Sequence, residues 1–113
     1  MIFKMKSGRV RDRVQFDGDL ILDVDSDAFR MMSNIYAAGE AISQLTPKST
    51  TEDLSAAARA FAAAIFGHEQ AKQLMDFYHG DATCVLNMCG KYFSLRLKSK
   101  ITKAQIAARE RGR

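Results

Sequence analysis

The sequence predicts an α+β fold, in which an N-terminal antiparallel β-ribbon is followed by a mainly α domain of about four helices. Apolar residues alternate with polar ones over the first 24 positions and then recur at helical spacing along most of the chain. A single proline among 113 residues favours long helices with few breaks. A chain of this length is typical of a single domain, residues 1–113. We expect the ribbon at residues 1–24, the helical body at 26–101 and a basic tail at 102–113.

The ribbon is predicted from two alternating runs on either side of Asp17-Gly18. This dipeptide is a strong hairpin signal, because both central positions of a two-residue turn need positive φ. Residues 9–16 form the first run and residues 20–24 the second. A further apolar run at residues 1–5 leaves open whether a hairpin or a three-stranded meander forms. Such a ribbon is marginal alone and must pack against the helices.

The first helix is predicted to begin near Asp27, with Asp25 or Ser26 as its N-cap, and to end at Thr46-Pro47. Its core stripe recurs at helical spacing: Met31, Ile35, Ala38, Ile42 and Leu45. For the second helix, at residues 50–66, Ser49 and Glu52 form a predicted capping box. Its expected core face is Leu54, Ala57, Phe61 and Ile65.

Two further helices are expected on either side of Gly80-Asp81. The third spans residues 68–78, with its packing residues at Ala71, Leu74, Met75 and Tyr78. Asp81 caps the fourth, whose stripe is Leu86, Cys89, Phe93, Leu97 and Ile101. The apolar face becomes sparse after Lys98, so residues 103–113 are expected to be a frayed helical extension or a tail.

Charge is strongly segregated along the sequence. Residues 1–13 carry five basic side chains against Asp12, residues 14–90 carry four against eleven acidic ones, and residues 91–113 carry eight against Glu110. Basic termini can bind nucleic acid phosphates, an acidic protein partner or the acidic body of a second copy. They can also be solvated ends that keep the chain soluble.

Enzymatic chemistry has little support in the residues. The chain has two histidines and no tryptophan, its glycines lie singly, and it has no G-x-S-x-G motif. Cys84 and Cys89 lie about 140° apart on a helix and do not converge on a metal. His68 and His79 each lie at a helix end without a ligand at i+4. The protein is therefore expected to have no catalytic residues, no cofactor and no metal.

Three alternating carboxylates lie where the ribbon meets the first helix: Asp23, Asp25 and Asp27. They fit helix capping, and a hard cation such as calcium is the alternative. Two cysteines without a signal peptide indicate a reducing cytosol. No apolar run reaches the ~20 residues that span a bilayer, so no membrane contact is expected.

Nucleic acid binding is the principal alternative function. A helix-turn-helix module needs a basic recognition helix, but the third helix carries Glu69, Lys72 and Asp76. The last helix is basic, yet it lacks the interleaved aromatic residues of a single-strand groove. Non-specific contact through the basic termini stays open, and sequence-specific binding is not expected.

The order of these features resembles the small tail assembly chaperones of long-tailed bacteriophages, the type represented by the lambda G protein and its Gram-positive phage relatives. The resemblance covers roughly residues 13–97. It rests on F-D-G-D-L-I-L-D-V leading into D-A-F, on A-A-A-I-F-G followed by H-E-Q-A-K-Q-L-M, and on the Gly80-Asp81 break before a final helix. Its most distinctive segment is Phe66-Gly67-His68-Glu69-Gln70, which joins two helices.

The resemblance implies a non-enzymatic chaperone in the cytoplasm of the infected host cell. Such proteins bind the long helical tape measure protein and keep it soluble until tail tube subunits assemble around it. The resemblance leaves open a contact with the tail tube protein and a longer product made by frameshifting near the C-terminus. An exposed edge of the ribbon would also allow a homo-oligomer.

A chaperone for an amphipathic helix needs an apolar groove with adaptable side chains. We therefore predict a partner-binding surface on the helices and the basic C-terminal segment. Its residues are Met31, Met32, Phe61, Met75, Met88, Phe93, Lys98, Lys100 and Lys103. The alternative is that the methionines simply fill a small core.

Overall fold

Two antiparallel strands precede the helices, as the α+β prediction requires. The computed structural model describes residues 8–111, so the predicted strand at residues 1–5 lies outside the described residues. The strands are β1 (Arg9–Phe16) and β2 (Leu20–Asp27). The helices are α1 (Ala28–Ser43), α2 (Thr51–Phe66), α3 (His68–Phe77), α4 (Ala82–Tyr92) and α5 (Lys98–Arg111). A π-helical segment, Phe93–Leu97, joins α4 to α5 and makes residues 82–111 continuous. We call this continuous helix, residues 82–111, the last helix.

The ribbon turns at Asp17-Gly18, as predicted, with φ values of 43° and 82°. Its inner face is apolar and packs on the helices, with Val10, Phe16, Leu22 and Val24 buried. β2 continues three residues beyond the predicted end at residue 24, because Arg9 of β1 pairs with Asp27.

The outer face of the ribbon is a ladder of opposite charges. Three arginines of β1 lie opposite three aspartates of β2: Arg9 opposite Asp27, Arg11 opposite Asp25 and Arg13 opposite Asp23. Arg9 Nε lies 2.6 Å from Asp25 Oδ1, and Arg13 Nε lies 3.0 Å from Asp23 Oδ1. The arginines of the basic N-terminal segment are thus paired with acidic residues from the middle of the chain. These aspartates serve as ion-pair partners, and Asp27 as a helix cap.

Two helix N-caps lie one or two residues from their predicted positions. Asp27, the last residue of β2, caps α1 by accepting from the Arg30 amide at 2.9 Å, and Asp25 and Ser26 lie within the strand. The capping box of α2 uses Thr50 and Asp53 instead of Ser49 and Glu52. The Ser49 hydroxyl instead accepts from the Thr46 amide at 2.8 Å. The predicted cap at Asp81 is confirmed, since it accepts from the Cys84 amide.

Helix α2 is the centre of the helical body and contacts α1, α3, α4 and β2. Its buried residues are Ala57, Ala58, Ala62, Ile65 and Phe66, so small side chains allow neighbouring elements to approach closely. Leu54 and Phe61, predicted for this face, are only partly buried. The α1 stripe is buried from Met31 to Ala38, whereas Ile42 and Leu45 are partly exposed.

The π-helical segment keeps the apolar face of the last helix on the core. Cys89 and Leu97 are both fully buried although eight residues separate them. Eight residues of an α-helix turn about 80° beyond two full turns. The wider π turn compensates for this rotation, so Cys89 and Leu97 face the core together. Leu86 and Phe93 of the predicted stripe lie at the border of this buried face and are partly exposed.

Helix α5 continues through residues 102–111 of the region predicted as a basic tail, and residues 112–113 lie outside the described residues. Residues 102–111 are helical, and Ile101 is buried. The start of the ribbon packs directly on this helix, because a Cβ atom at Gly8 would overlap the carbonyl oxygen of Ala104. α5 is therefore packed against the ribbon and is part of the folded body.

A buried carboxylate fixes the ribbon to the last helix. The Asp12 side chain is 5% exposed and accepts from Tyr92 Oη at 2.7 Å and from Arg96 Nε and Nη2 at 2.6 and 2.7 Å. Burial raises the pKa of Asp12, but the hydrogen bonds from Arg96 and Tyr92 outweigh it and lower the pKa from 3.8 to about 2. Burial and the bond to Asp12 raise the pKa of Tyr92.

Gln70 pairs with the outer edge of β2 at Asp23. Its Oε1 accepts from the Asp23 amide at 2.9 Å, and its Nε2 donates to the Asp23 carbonyl at 2.6 Å and to the Phe66 carbonyl at 2.8 Å. The amide thus takes the place of a neighbouring strand at one residue. The segment Phe66-Gly67-His68-Glu69-Gln70 therefore includes a residue that connects the helices to the ribbon.

Candidate functional site

An apolar groove lies between α1, α2 and the last helix. Its volume is about 480 Å³, within the usual range of ligand sites. Its lining residues come from all three elements: Met32, Ile35, Tyr36, Gly39, Glu40, Ser43, Phe61, Phe93 and Lys98. We call it the α1 groove. Phe61 and Phe93 meet in it edge to face, with ring centroids 6.4 Å apart.

Helix α1 contributes one wall of the α1 groove through a second stripe beside its core stripe. Met32, Tyr36, Gly39 and Ser43 recur at intervals of four, three and four residues, which places them on one face. Tyr36 is 69% exposed. Gly39 keeps the wall open, because a Cβ atom there would have no neighbour within 4 Å.

The last helix places one cation at the α1 groove. Lys98 follows the π-helical segment and is exposed, and Glu40 lies on the α1 wall. Among the side chains that the structure describes, neither Lys98 nor Glu40 has an ion-pair partner. The groove is thus apolar at its base, with one positive and one negative side chain free to meet a ligand.

The structure brings together four of the nine residues predicted for partner binding: Met32, Phe61, Phe93 and Lys98. Met31 and Met75 lie in the core with at most 6% exposure, so they are not part of an accessible surface. Met88 is partly buried against the core, outside the groove. For these three methionines, packing explains the residue type.

The other two predicted lysines lie elsewhere on α5. Lys100 is partly buried and Lys103 is exposed, and neither lines the α1 groove. Lys103 follows Lys98 by five residues, which turns it about 140° around the helix. Only Lys98 among the predicted cations therefore lies at the groove.

The prediction missed Tyr36, Gly39 and Glu40, which line the groove. A signal was present, because Phe29, Met32 and Tyr36 are spaced by three and four residues beside the core stripe. Phe29 is 51% exposed and extends this face by one turn. Helix α1 therefore has two adjacent apolar stripes, one buried in the core and one along the groove.

A larger cleft, of about 680 Å³, lies between β2, α1, the end of α2 and the start of α3. Polar residues dominate its wall, among them Asp23, Arg30 and Gln70. Gln70 is already bonded to the ribbon, and Asp23 is paired with Arg13. These groups are used within the fold, and the cleft offers less apolar surface to a helix than the α1 groove.

The two cysteines show no activation. Burial raises the pKa of the Cys89 thiol to about 12, and burial together with Asp81 and Asp17 raises the pKa of Cys84. Neither is held as the thiolate that nucleophilic or ligand chemistry uses. Over residues 8–111, no three His, Cys, Asp or Glu residues come together as a potential metal site.

Comparisons with protein family models, with curated proteins and with solved structures found no match to this chain. Within the described part of the chain, no helix combines the length and apolar character needed to cross a bilayer. The candidate site of this protein is the α1 groove, with its apolar lining from α1, α2 and the last helix.

Proposed function

We propose that this protein is a tail assembly chaperone of a long-tailed bacteriophage, which binds the tape measure protein in the cytoplasm of the infected cell. The observation that carries the proposal is the α1 groove, an apolar channel along a helix with aromatic residues at its base. An amphipathic helix binds such a groove by inserting side chains spaced three and four residues apart. The sequence resemblance suggests which amphipathic helix this is.

The composition of the groove suits a transient complex. Met32 is flexible and polarisable, so it adapts to different inserted side chains. The α1 groove has a volume of about 480 Å³, which accommodates a few large apolar side chains but not a whole helix. Binding through a few anchors at many sites along a long partner keeps each contact weak. Tail tube subunits can then displace the chaperone in sequence.

The competing proposal, nucleic acid binding through both basic termini, is less well supported. The three arginines of β1 lie opposite aspartates and are paired within the ribbon. Phosphates would have to compete with those aspartates. Unpaired cations remain on α5, where Lys98 and Lys103 are exposed.

The proposal is tested by mixing the protein with an aggregation-prone fragment of the tape measure protein and measuring light scattering. We expect equimolar protein to suppress aggregation. Gly39→Phe fills the groove and should abolish suppression without unfolding the helix, because the position has free space and glycine is a poor helix former. Tyr36→Gln should weaken it.

Ile21→Gln is the matched control, because Ile21 is 53% exposed on the ribbon and lies outside the groove. It should suppress aggregation as well as the parent protein. An unprotected fragment, or full protection by Gly39→Phe, would contradict the proposal. Salt-sensitive binding of duplex DNA that is lost in a Lys98→Glu, Lys103→Glu double variant would favour the competing function.

A further inference from the structure

The charged residues at the α1 groove are unequally distributed between its walls. Lys98 lies on the side of the last helix and Glu40 on the side of α1. Lys98 is exposed and makes no ion pair with the side chains that the structure describes. One border of the groove therefore carries a single cation, Lys98, and the other carries a carboxylate.

We propose that the α1 groove selects an amphipathic helix whose apolar stripe is bordered by carboxylates on one side, and that Lys98 is the residue that binds them. This inference rests on the proposed function only in taking the groove as the partner site. Its basis is charge complementarity. An ammonium group beside an apolar groove, without an internal counter-ion, attracts a carboxylate placed beside the apolar anchors of the ligand.

Glu40 adds direction to this selection. It repels a carboxylate on the α1 side, so the acidic border of the bound helix must face α5. A like charge placed against the wrong orientation adds to the discrimination that the favourable pair provides. The bound helix is thereby held in one rotational setting, with its apolar residues on Phe61 and Phe93.

The test uses two synthetic 18-residue helical peptides with identical leucine stripes. In the first peptide, one border of the stripe carries glutamates and the other glutamines; in the second, both borders carry glutamines. Dissociation constants are measured by fluorescence anisotropy at low ionic strength. We expect the glutamate peptide to bind about two- to fivefold more tightly, the size of one exposed ion pair. The preference should shrink at high salt.

Two variants with the same charge change separate a local contact from the overall charge. Lys98→Glu should reverse the preference in favour of the glutamine peptide. Lys103→Glu, on the far side of α5, should keep the parent preference. Both positions are exposed, so circular dichroism should report an unchanged fold. Equal binding of both peptides, or an equal loss of preference in both variants, would overturn the inference.

The remaining outcomes separate this inference from the proposed function. If neither peptide binds while the tape measure fragment is still protected, the inference is wrong and the chaperone function stands. If the glutamate peptide is preferred but the fragment is not protected, the selectivity stands and the function is wrong. Sedimentation analysis tests whether a second copy of the chain occupies the groove. A dimer that dissociates in the Tyr36→Gln variant would show that it does, and would also overturn the inference.

Discussion

Replacing Asp12 with asparagine should remove the main polar link between the ribbon and the last helix. The neutral amide cannot take part in the ion pair with Arg96, and it accepts the bonds from Arg96 and Tyr92 more weakly. Lowering the pKa of Asp12 from 3.8 to about 2 corresponds to about 2 kcal/mol of folding free energy. This value already includes the bonds from Arg96, whose side chain is 59% exposed and partly screened by water. The melting temperature should fall by about 8 °C.

Chemical denaturation of the parent protein and Asp12→Asn measures this loss. Asp23→Asn is the matched control, since its ion pair with Arg13 lies between side chains that are 65% and 73% exposed. That variant should lose less than about 0.5 kcal/mol. A double-mutant cycle with Arg96→Met should give a coupling energy of at least about 1 kcal/mol. Equal losses in Asp12→Asn and Asp23→Asn, or a coupling near zero, would refute the reasoning.

The same carboxylate makes the difference between the two proteins depend on pH. Its folded pKa, about 2, lies below its ordinary value of 3.8. Its contribution is therefore complete above about pH 5 and is lost as pH falls from about 4 to about 2. The free energies of unfolding of the parent protein and Asp12→Asn should converge over this interval. If the difference between their free energies of unfolding stays constant down to pH 2, the effect of the substitution comes from packing and not from the charge of Asp12.

Two further substitutions test the packing of the ribbon. Gly8→Ala should destabilise the protein by more than about 2 kcal/mol in urea denaturation, because its Cβ overlaps the Ala104 carbonyl. Gly90→Ala should stabilise the protein by about 0.5–1 kcal/mol, because a Cβ atom added there has open space around it. Similar effects of the two substitutions would argue against the contact between Gly8 and Ala104. Gln70→Ala should cost about 1–2 kcal/mol and speed hydrogen exchange at the Asp23 amide, whereas unchanged exchange would rule out the edge pairing.

Local signals in the sequence were sufficient for the order and type of the elements. The Asp17-Gly18 turn and the Asp81 cap depend on residues next to them in the chain, and both are confirmed. The caps of α1 and α2 were displaced because neighbouring residues compete for the same role. Thr50 caps α2 while Ser49 bonds to Thr46, a choice that depends on loop geometry and not on residue type.

Contacts between distant parts of the chain could not be predicted. Asp12 and Arg96 are 84 residues apart, and no periodicity connects them. The charge ladder likewise depends on strand register. The sequence showed basic and acidic residues in separate segments, but not that the arginines of β1 pair with the aspartates of β2. Part of the groove could be predicted, because Phe61 and Phe93 lie at helical spacing in the sequence. Glu40 and Lys98 line the same groove only because α1 packs beside the last helix, which no sequence pattern shows.

The charge ladder on the ribbon also affects how another molecule approaches. Because Arg9 and Arg13 lie against aspartates, their fields largely cancel a short distance from the surface. Lys98 and Lys103 of α5 form no ion pair with the described side chains, so an acidic chain should be drawn towards that side of the molecule first. Dissolved salt should therefore slow the encounter much more than it shortens the lifetime of the complex.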